Sequence, residues 1–98
     1  MLMAKIGDRV GVVLRATPTE VFLLGYGTFL GHEVPPKGML HDHGIPNPKI
    51  QLDNGKVVWG YQVWWGPAKY VAEMIGKRAI KQVDVDTLEG EIENGRQD

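Results

Sequence analysis

Asn47-Pro-Lys-Ile-Gln-Leu-Asp-Asn-Gly-Lys-Val-Val-Trp-Gly-Tyr-Gln-Val-Trp-Trp-Gly-Pro67 decides the fold class of this chain. An Asn-Gly pair between two runs of alternating apolar residues is a strong short-range signal for a tight β-hairpin. The pattern predicts a two-residue turn at Asn54-Gly55 that pairs Lys49–Asp53 with Lys56–Trp65. Alternation puts Ile50 and Leu52 on one face of the first strand. On the second strand Val57, Trp59, Tyr61, Val63 and Trp65 share the expected core face, and Val58, Gly60, Gln62 and Trp64 share the other. The run ends on two adjacent tryptophans, and neighbours on a strand point to opposite faces. One ring therefore serves a core, and Trp64 needs a second purpose, either a partner subunit or a flat ligand.

Extended structure continues on the N-terminal side. Lys5 to Arg15 reads as a valine-rich strand entered through Gly7-Asp8. Thr17-Pro-Thr-Glu20 is a turn, with proline setting its φ. Val21-Phe-Leu-Leu24 is a continuous apolar run of strand length. Gly25-Tyr-Gly27 interrupts it, which predicts a bulge or the close approach of another backbone or a ligand. Thr28 to Val34 resumes the strand. Pro35 to Pro48 holds four prolines, two glycines and two histidines without periodicity, the composition of a long loop.

On the C-terminal side Gly66-Pro67 opens a short helix, proline being favoured in the first turn. Ala68, Val71, Ala72 and Ile75 make one apolar stripe. Gly76 ends it, with Lys77 and Arg78 complementing the negative end of the helix. Ile80, Val83, Val85 and Leu88 suit a last strand. The fold class is thus mainly β (α+β): a small twisted antiparallel sheet or SH3-like partial barrel with one short α-helix near residues 67–76. One globular domain is expected over 1–88, followed by an acidic, disordered tail over 89–98.

Charge divides the same way. Residues 84–98 carry six acids and one base, net −5, and residues 1–83 carry six acids and ten bases, net +4. A modest positive field suits a small phosphate-bearing ligand. It is weak for a general nucleic-acid binder, so nucleic acid is not the expected partner. No stretch approaches the ~20 consecutive apolar residues of a membrane span. With no cysteine, disulfides, thiolate metal sites and a cysteine nucleophile are excluded. Absence of a signal-peptide pattern adds the expectation of a cytoplasmic location.

Catalytic chemistry finds little support. The chain has no serine and no nucleophile-elbow pattern. Glu20, Glu33, Asp42 and Asp53 are scattered, with no motif that pairs them. His41-Asp-His43 could chelate a metal, but a structural zinc site takes about four ligands, so a solvated loop is the simpler reading and no cofactor is expected. Gly25-Tyr-Gly-Thr-Phe-Leu-Gly31 is neither a dinucleotide fingerprint nor a P-loop. What remains is a constellation for binding. Trp64 and Tyr26 can stack on bases. Arg9, Arg15 and Lys49 can meet phosphates, and Asn47 and Gln62 can read base edges. Gly25 and Gly27 permit close approach. Structural glycines in a bulged strand, and tryptophans used in packing, are the plain alternative.

Several of these segments carry a resemblance. Gly7-Asp-Arg-Val-Gly11, Leu23-Leu-Gly-Tyr-Gly27 followed by Val34-Pro-Pro36, Asn47 to Gly60, and Trp64-Trp-Gly-Pro67 resemble a family of small phage and prophage proteins, the anti-CBASS cyclic-nucleotide sponges. The resemblance spans about residues 5–77. It implies a viral, non-enzymatic oligomer in the host bacterial cytoplasm, a dimer or tetramer. Such a sponge sequesters a signal such as 3′3′-cyclic GMP-AMP and so blocks antiphage signalling. An SH3-like module that binds nucleic acid or protein is the alternative from the residues alone.

Overall fold

The computed structural model describes residues 4–36 and 44–86. The His41-Asp42-His43 pair and the 89–98 tail lie outside the described residues. Among the described residues the elements are six strands, one 3-10 turn and one helix: β1 Arg9–Ala16, β2 Glu20–Glu33, β3 Asn47–Leu52, β4 Val57–Trp59, the turn Gly60–Gln62, β5 Trp64–Pro67, α1 Ala68–Ile75 and β6 Ala79–Gln82. The strand order is β4-β3-β2-β1-β5, with β6 joined to β2. Every ladder is antiparallel except β2–β6, which is parallel. The mainly β class read from the sequence, with one short helix, is the observed one.

β1 is an interior strand between β2 and β5, and its valine-rich sequence follows from burial on both faces. Val10 and Val12 enter the main core with Leu24, Phe29, Ile50, Leu52, Val58 and Val85. Val13 points the other way, into a second cluster with Val21, Leu23, Val71 and Ile75. All three valines are buried, and each burial contributes about 1.5–3 kcal/mol. β1 can therefore hold a curled sheet on one side and a helix on the other.

β2 is a single long strand rather than two separate runs. Register with β1 slips between Val12 and Val13, where Val12 faces Gly25 but Val13 faces Leu23. Leu24 is the extra residue, and Gly25 takes φ +137°, which side chains rarely adopt. The slip lets Leu23 reach the helix-side cluster and Leu24 the main core. The N-terminal half of β2 pairs with β6 and the C-terminal half with β3.

The hairpin forms, with three corrections to its details. Leu52 N–H bonds to the Lys56 carbonyl and Gly55 N–H to the Leu52 carbonyl, each at 2.8 Å. The loop is thus Asp53-Asn54-Gly55, three residues rather than two, with Gly55 at φ +89°. Its second strand ends at Trp59 instead of Trp65. A 3-10 turn follows, in which the Trp59 N–H donates to the Gln62 side chain at 3.1 Å. The three-residue loop, by pairing Leu52 with Lys56, also shifts the alternation of β4 by one residue. Val58, expected on the outer face, is fully buried opposite Ile50, and Trp59 is also buried. Trp65 then stacks on Phe29, with centroids 5.2 Å apart and planes 14° from parallel.

α1 follows Pro67 directly and ends at Gly76, whose N–H reaches the Ala72 carbonyl at 3.2 Å. Val71 and Ile75 are its buried residues, and Met74 packs beside them. Ala72, expected in the stripe, is exposed, because the helix sits on β1 through the Val71–Met74–Ile75 edge. Val71 stands directly over Gly11. A Cβ added to Gly11 would lie 2.7–2.9 Å from the Val71 side chain. After β6 the chain returns to the main core at Val85. Lys56 of the hairpin holds Asp84 at 2.8 Å and Asp86 at 3.2 Å on either side of it.

Gly11→Ala is expected to destabilise the protein by about 1–3 kcal/mol through overpacking against Val71. Gly66→Ala is the control, since an added Cβ there meets nothing within 4 Å. Thermal unfolding of both variants decides the matter. Equal midpoints would show that helix placement does not depend on the gap at position 11.

Candidate functional site

β1 carries an arginine near each end, and their surroundings differ. Arg9 is paired. Its guanidinium grips Asp53 of the hairpin loop with two bonds, at 2.9 and 2.6 Å, and lies 5.9 Å from the Tyr26 ring centroid. Arg9 is raised and the Asp53 carboxyl is held below the ordinary carboxylate range, first by this hydrogen bond. Tyr26 is partly buried against the helix-side cluster. A small 180 Å³ pocket lies beside it, lined by residues that include Gly25, Asp53, Asn54 and Gln82.

Arg15 is different. Its guanidinium sits 4.4 Å from the Phe22 ring centroid. Stacking uses the face of the cation and leaves its in-plane donors for another group. Among the described residues Arg15 has no carboxylate partner. It lines a pocket of about 280 Å³ with Val13, Ala16, Trp64, Met74 and Arg78. Trp64 is 50% exposed, the most exposed of the three tryptophans. Arg78 is half-buried, contacts the Met74 sulfur at 3.8 Å, and likewise has no carboxylate partner among the described residues. Two cations thus border an open indole over a floor of valine and methionine.

Folding explains the assembly. Trp64 pairs with Val13 across the β1–β5 ladder, so both side chains rise on the helix side of the sheet. The register slips again between Val13 and Arg15, so Arg15 pairs with Phe22 and its guanidinium lies on that ring, while its stretch of β1 still borders the pocket. Met74 comes from the last turn of α1 and Arg78 from the turn after it. The contact of Val71 with Gly11 fixes how far along β1 those groups fall.

The other residues singled out by sequence lie elsewhere. Tyr26 pairs with Gly11 on the opposite side of β1 from Trp64, with Val71 of α1 standing over Gly11 between them. The two rings do not face one pocket. Gly27 pairs with Leu52, and an added Cβ there would overlap the Gln51 carbonyl, so β3 occupies the space that its missing side chain opens. Gly25 serves the bulge. Lys49 pairs with Glu33 at 3.1 Å and lies 5.8 Å from the Trp59 ring centroid. The Asn47 amide donates to the Ile45 carbonyl at 2.9 Å. Gln62 caps the turn that follows Trp59. Of the nine residues, the structure brings Trp64 and Arg15 to one pocket and Gly25 and Tyr26 to another, where Arg9 is held by Asp53. Met74 and Arg78 complete the first, and sequence reasoning had assigned Arg78 to the helix end. Only the fold shows that a helix C-terminus lies beside Trp64.

No cluster of three or more potential metal-ligating side chains occurs among the described residues. No helix there is long and apolar enough to cross a membrane. Comparison with protein-family models, with curated proteins and with solved structures finds no match to this chain.

The Arg9–Asp53 pair gives a pH test with a definite sign. A lowered Asp53 contributes stability that is present above its unfolded pKa and is lost as pH falls through the folded value, below the ordinary carboxylate range. Both partners are exposed, so the effect is small and screened by salt. An NMR titration is expected to place the Asp53 midpoint below that of an unpaired aspartate, and Arg9→Gln to return it to the ordinary range. Identical midpoints in the two proteins would mean that the pair does not persist in solution.

Proposed function

We propose that this protein is a non-enzymatic sponge for a nucleotide signal, with a cyclic dinucleotide such as 3′3′-cyclic GMP-AMP as the foremost candidate. One observation carries the reading: the half-exposed Trp64 ring stands beside Arg15 and Arg78, two cations with no carboxylate partner among the described residues. A base stacks on the indole, Val13 and Met74 supply the apolar floor, and the guanidinium edges take phosphate oxygens. Such a surface binds without cleaving, since the pocket holds neither a nucleophile nor a carboxylate pair. The likeness to phage sponges in the Gly7–Gly11 and Asn47–Pro67 segments agrees in chemical class. Trapping the signal inside a bacterial host would blunt antiphage signalling.

A homo-oligomer, dimer or tetramer, belongs to the same proposal. Trp64 stays half exposed on one copy, and a second copy would cover it together with the ligand. Light scattering at micromolar concentration is the direct test.

Calorimetry with cyclic dinucleotides, mononucleotides and short oligonucleotides tests the binding itself. Trp64→Ala is expected to weaken cyclic dinucleotide binding about tenfold to a hundredfold, since one lost base stack is worth roughly 1–3 kcal/mol. Heat denaturation of the complex is expected to release the ligand chemically unchanged. Recovery of a hydrolysed product would replace the sponge with an enzyme. Binding of oligonucleotides or peptides in place of cyclic dinucleotides would favour an SH3-like interaction module.

A further inference from the structure

The Trp64 pocket has a neighbour. A second pocket of about 510 Å³ lies between the β1–β2 turn and the end of α1, lined by residues that include Pro18, Thr19, Gly76 and Lys77. The two pockets share Met74 and Arg78, so they are adjoining compartments of one surface that meet at Arg78. At 280 Å³ the Trp64 compartment alone falls below the roughly 300–1,000 Å³ usual for a small-molecule site. The second compartment supplies the missing room.

Its chemistry is cationic. Lys77 is exposed and, like Arg78, has no carboxylate partner among the described residues. Glu20 pairs with Ala79, a lining residue, across the β2–β6 ladder, and Lys81 engages its carboxylate at 3.6 Å. Glu73 lies on the exposed side of α1. The negative end of α1 opposes an anion here. Two of its carbonyls are already occupied, Ala72 by the Gly76 N–H and Ile75 by the Arg78 N–H at 2.9 Å. Arg78 itself is held only by a thioether, a weak acceptor for a group with several strong donors. Its position allows it to serve either compartment.

We infer that the Thr19–Lys77 compartment is a second phosphate subsite, and that the surface selects a ligand with two separated phosphates, one on each side of Arg78. This rests on the reading of the Trp64 pocket as a nucleotide site. One phosphate lies with Arg15 and Arg78 beside the stacked base. The other lies with Lys77, Arg78 and the Thr19 hydroxyl. A ligand with a single phosphate reaches only the first.

The test titrates wild type, Lys77→Ala and Trp64→Ala with 3′3′-cyclic GMP-AMP and with 5′-GMP, by calorimetry or NMR. Lys77 is exposed, so its variant is expected to melt as wild type does. Lys77→Ala is expected to weaken the cyclic dinucleotide about tenfold, as for one lost charged hydrogen bond, and to leave 5′-GMP within about twofold. Trp64→Ala is expected to weaken both. If Trp64→Ala weakens binding and Lys77→Ala changes neither ligand, or both equally, the second subsite is overturned while the nucleotide site stands. If wild type binds neither ligand, both fall together.

Discussion

The whole arrangement depends on one contact, that of Val71 with the bare backbone at Gly11. A sheet in which an interior strand, β1, is apolar on both faces must cover both. The curl of β2, β3 and β4 covers one. α1 covers the other, and it can settle on β1 only where no side chain intervenes. Gly11 supplies that gap between Arg9 and Val13. Once Val71 is seated there, the last turn of α1 falls beside Val13. Met74 and Arg78 thereby arrive next to Trp64. The pocket is thus a consequence of helix seating, and its residues come from β1, β5, α1 and the turn after α1.

The bulge at Leu24-Gly25 does for β2 what Gly11 does for β1. Without the extra residue, Leu23 and Leu24 would keep strict alternation with every later position. The slip changes parity at mid-strand, so the two halves of β2 serve different partners, β6 on one stretch and β3 on the other. Gly27 then lets β3 come close. Glycines that looked suited to ligand approach are spent on approach by the protein's own backbone. The physical need was correctly read, but a sequence does not say which neighbour fills it.

Legibility in the sequence followed the range of each signal. Local signals were readable: the Thr17–Glu20 turn, the hairpin at Asn54-Gly55, and the helix from Ala68 to Gly76. The one-in, one-out placement of Trp64 and Trp65 was readable too, because adjacency on a strand guarantees it. Alternation failed already at Val58, because a three-residue loop shifted the register by one, and again beyond Trp59, where the 3-10 turn at Gly60–Gln62 broke the strand that the pattern had continued. Nothing in the local sequence marks that turn; the Gln62 amide that caps it acts through a contact visible only when folded. The parallel pairing of β6 with β2 is non-local and was equally hidden. Two members of the candidate pocket, Trp64 and Arg15, were nameable in advance, while Met74 and Arg78 needed the helix position.

Arg9 and Arg15 show why a list of cations cannot locate an anion site. They are the same residue type on the same strand. The hairpin loop brings Asp53 to Arg9, and a bidentate pair absorbs its donors. At the other end of β1 the fold brings Phe22 instead. An aromatic face steadies a guanidinium but accepts no hydrogen bond at its edge, so Arg15 keeps its demand for an oxygen ligand. Lys49 and Lys56 are absorbed as Arg9 is, by Glu33 and by Asp84 with Asp86. The net charge of +4 over residues 1–83 is therefore not spread evenly in effect. Ion pairing removes it from the hairpin end and leaves it standing where Arg15, Lys77 and Arg78 gather near Trp64, and it is this residue of unspent charge, rather than the total, that selects the place where an anionic ligand would be drawn.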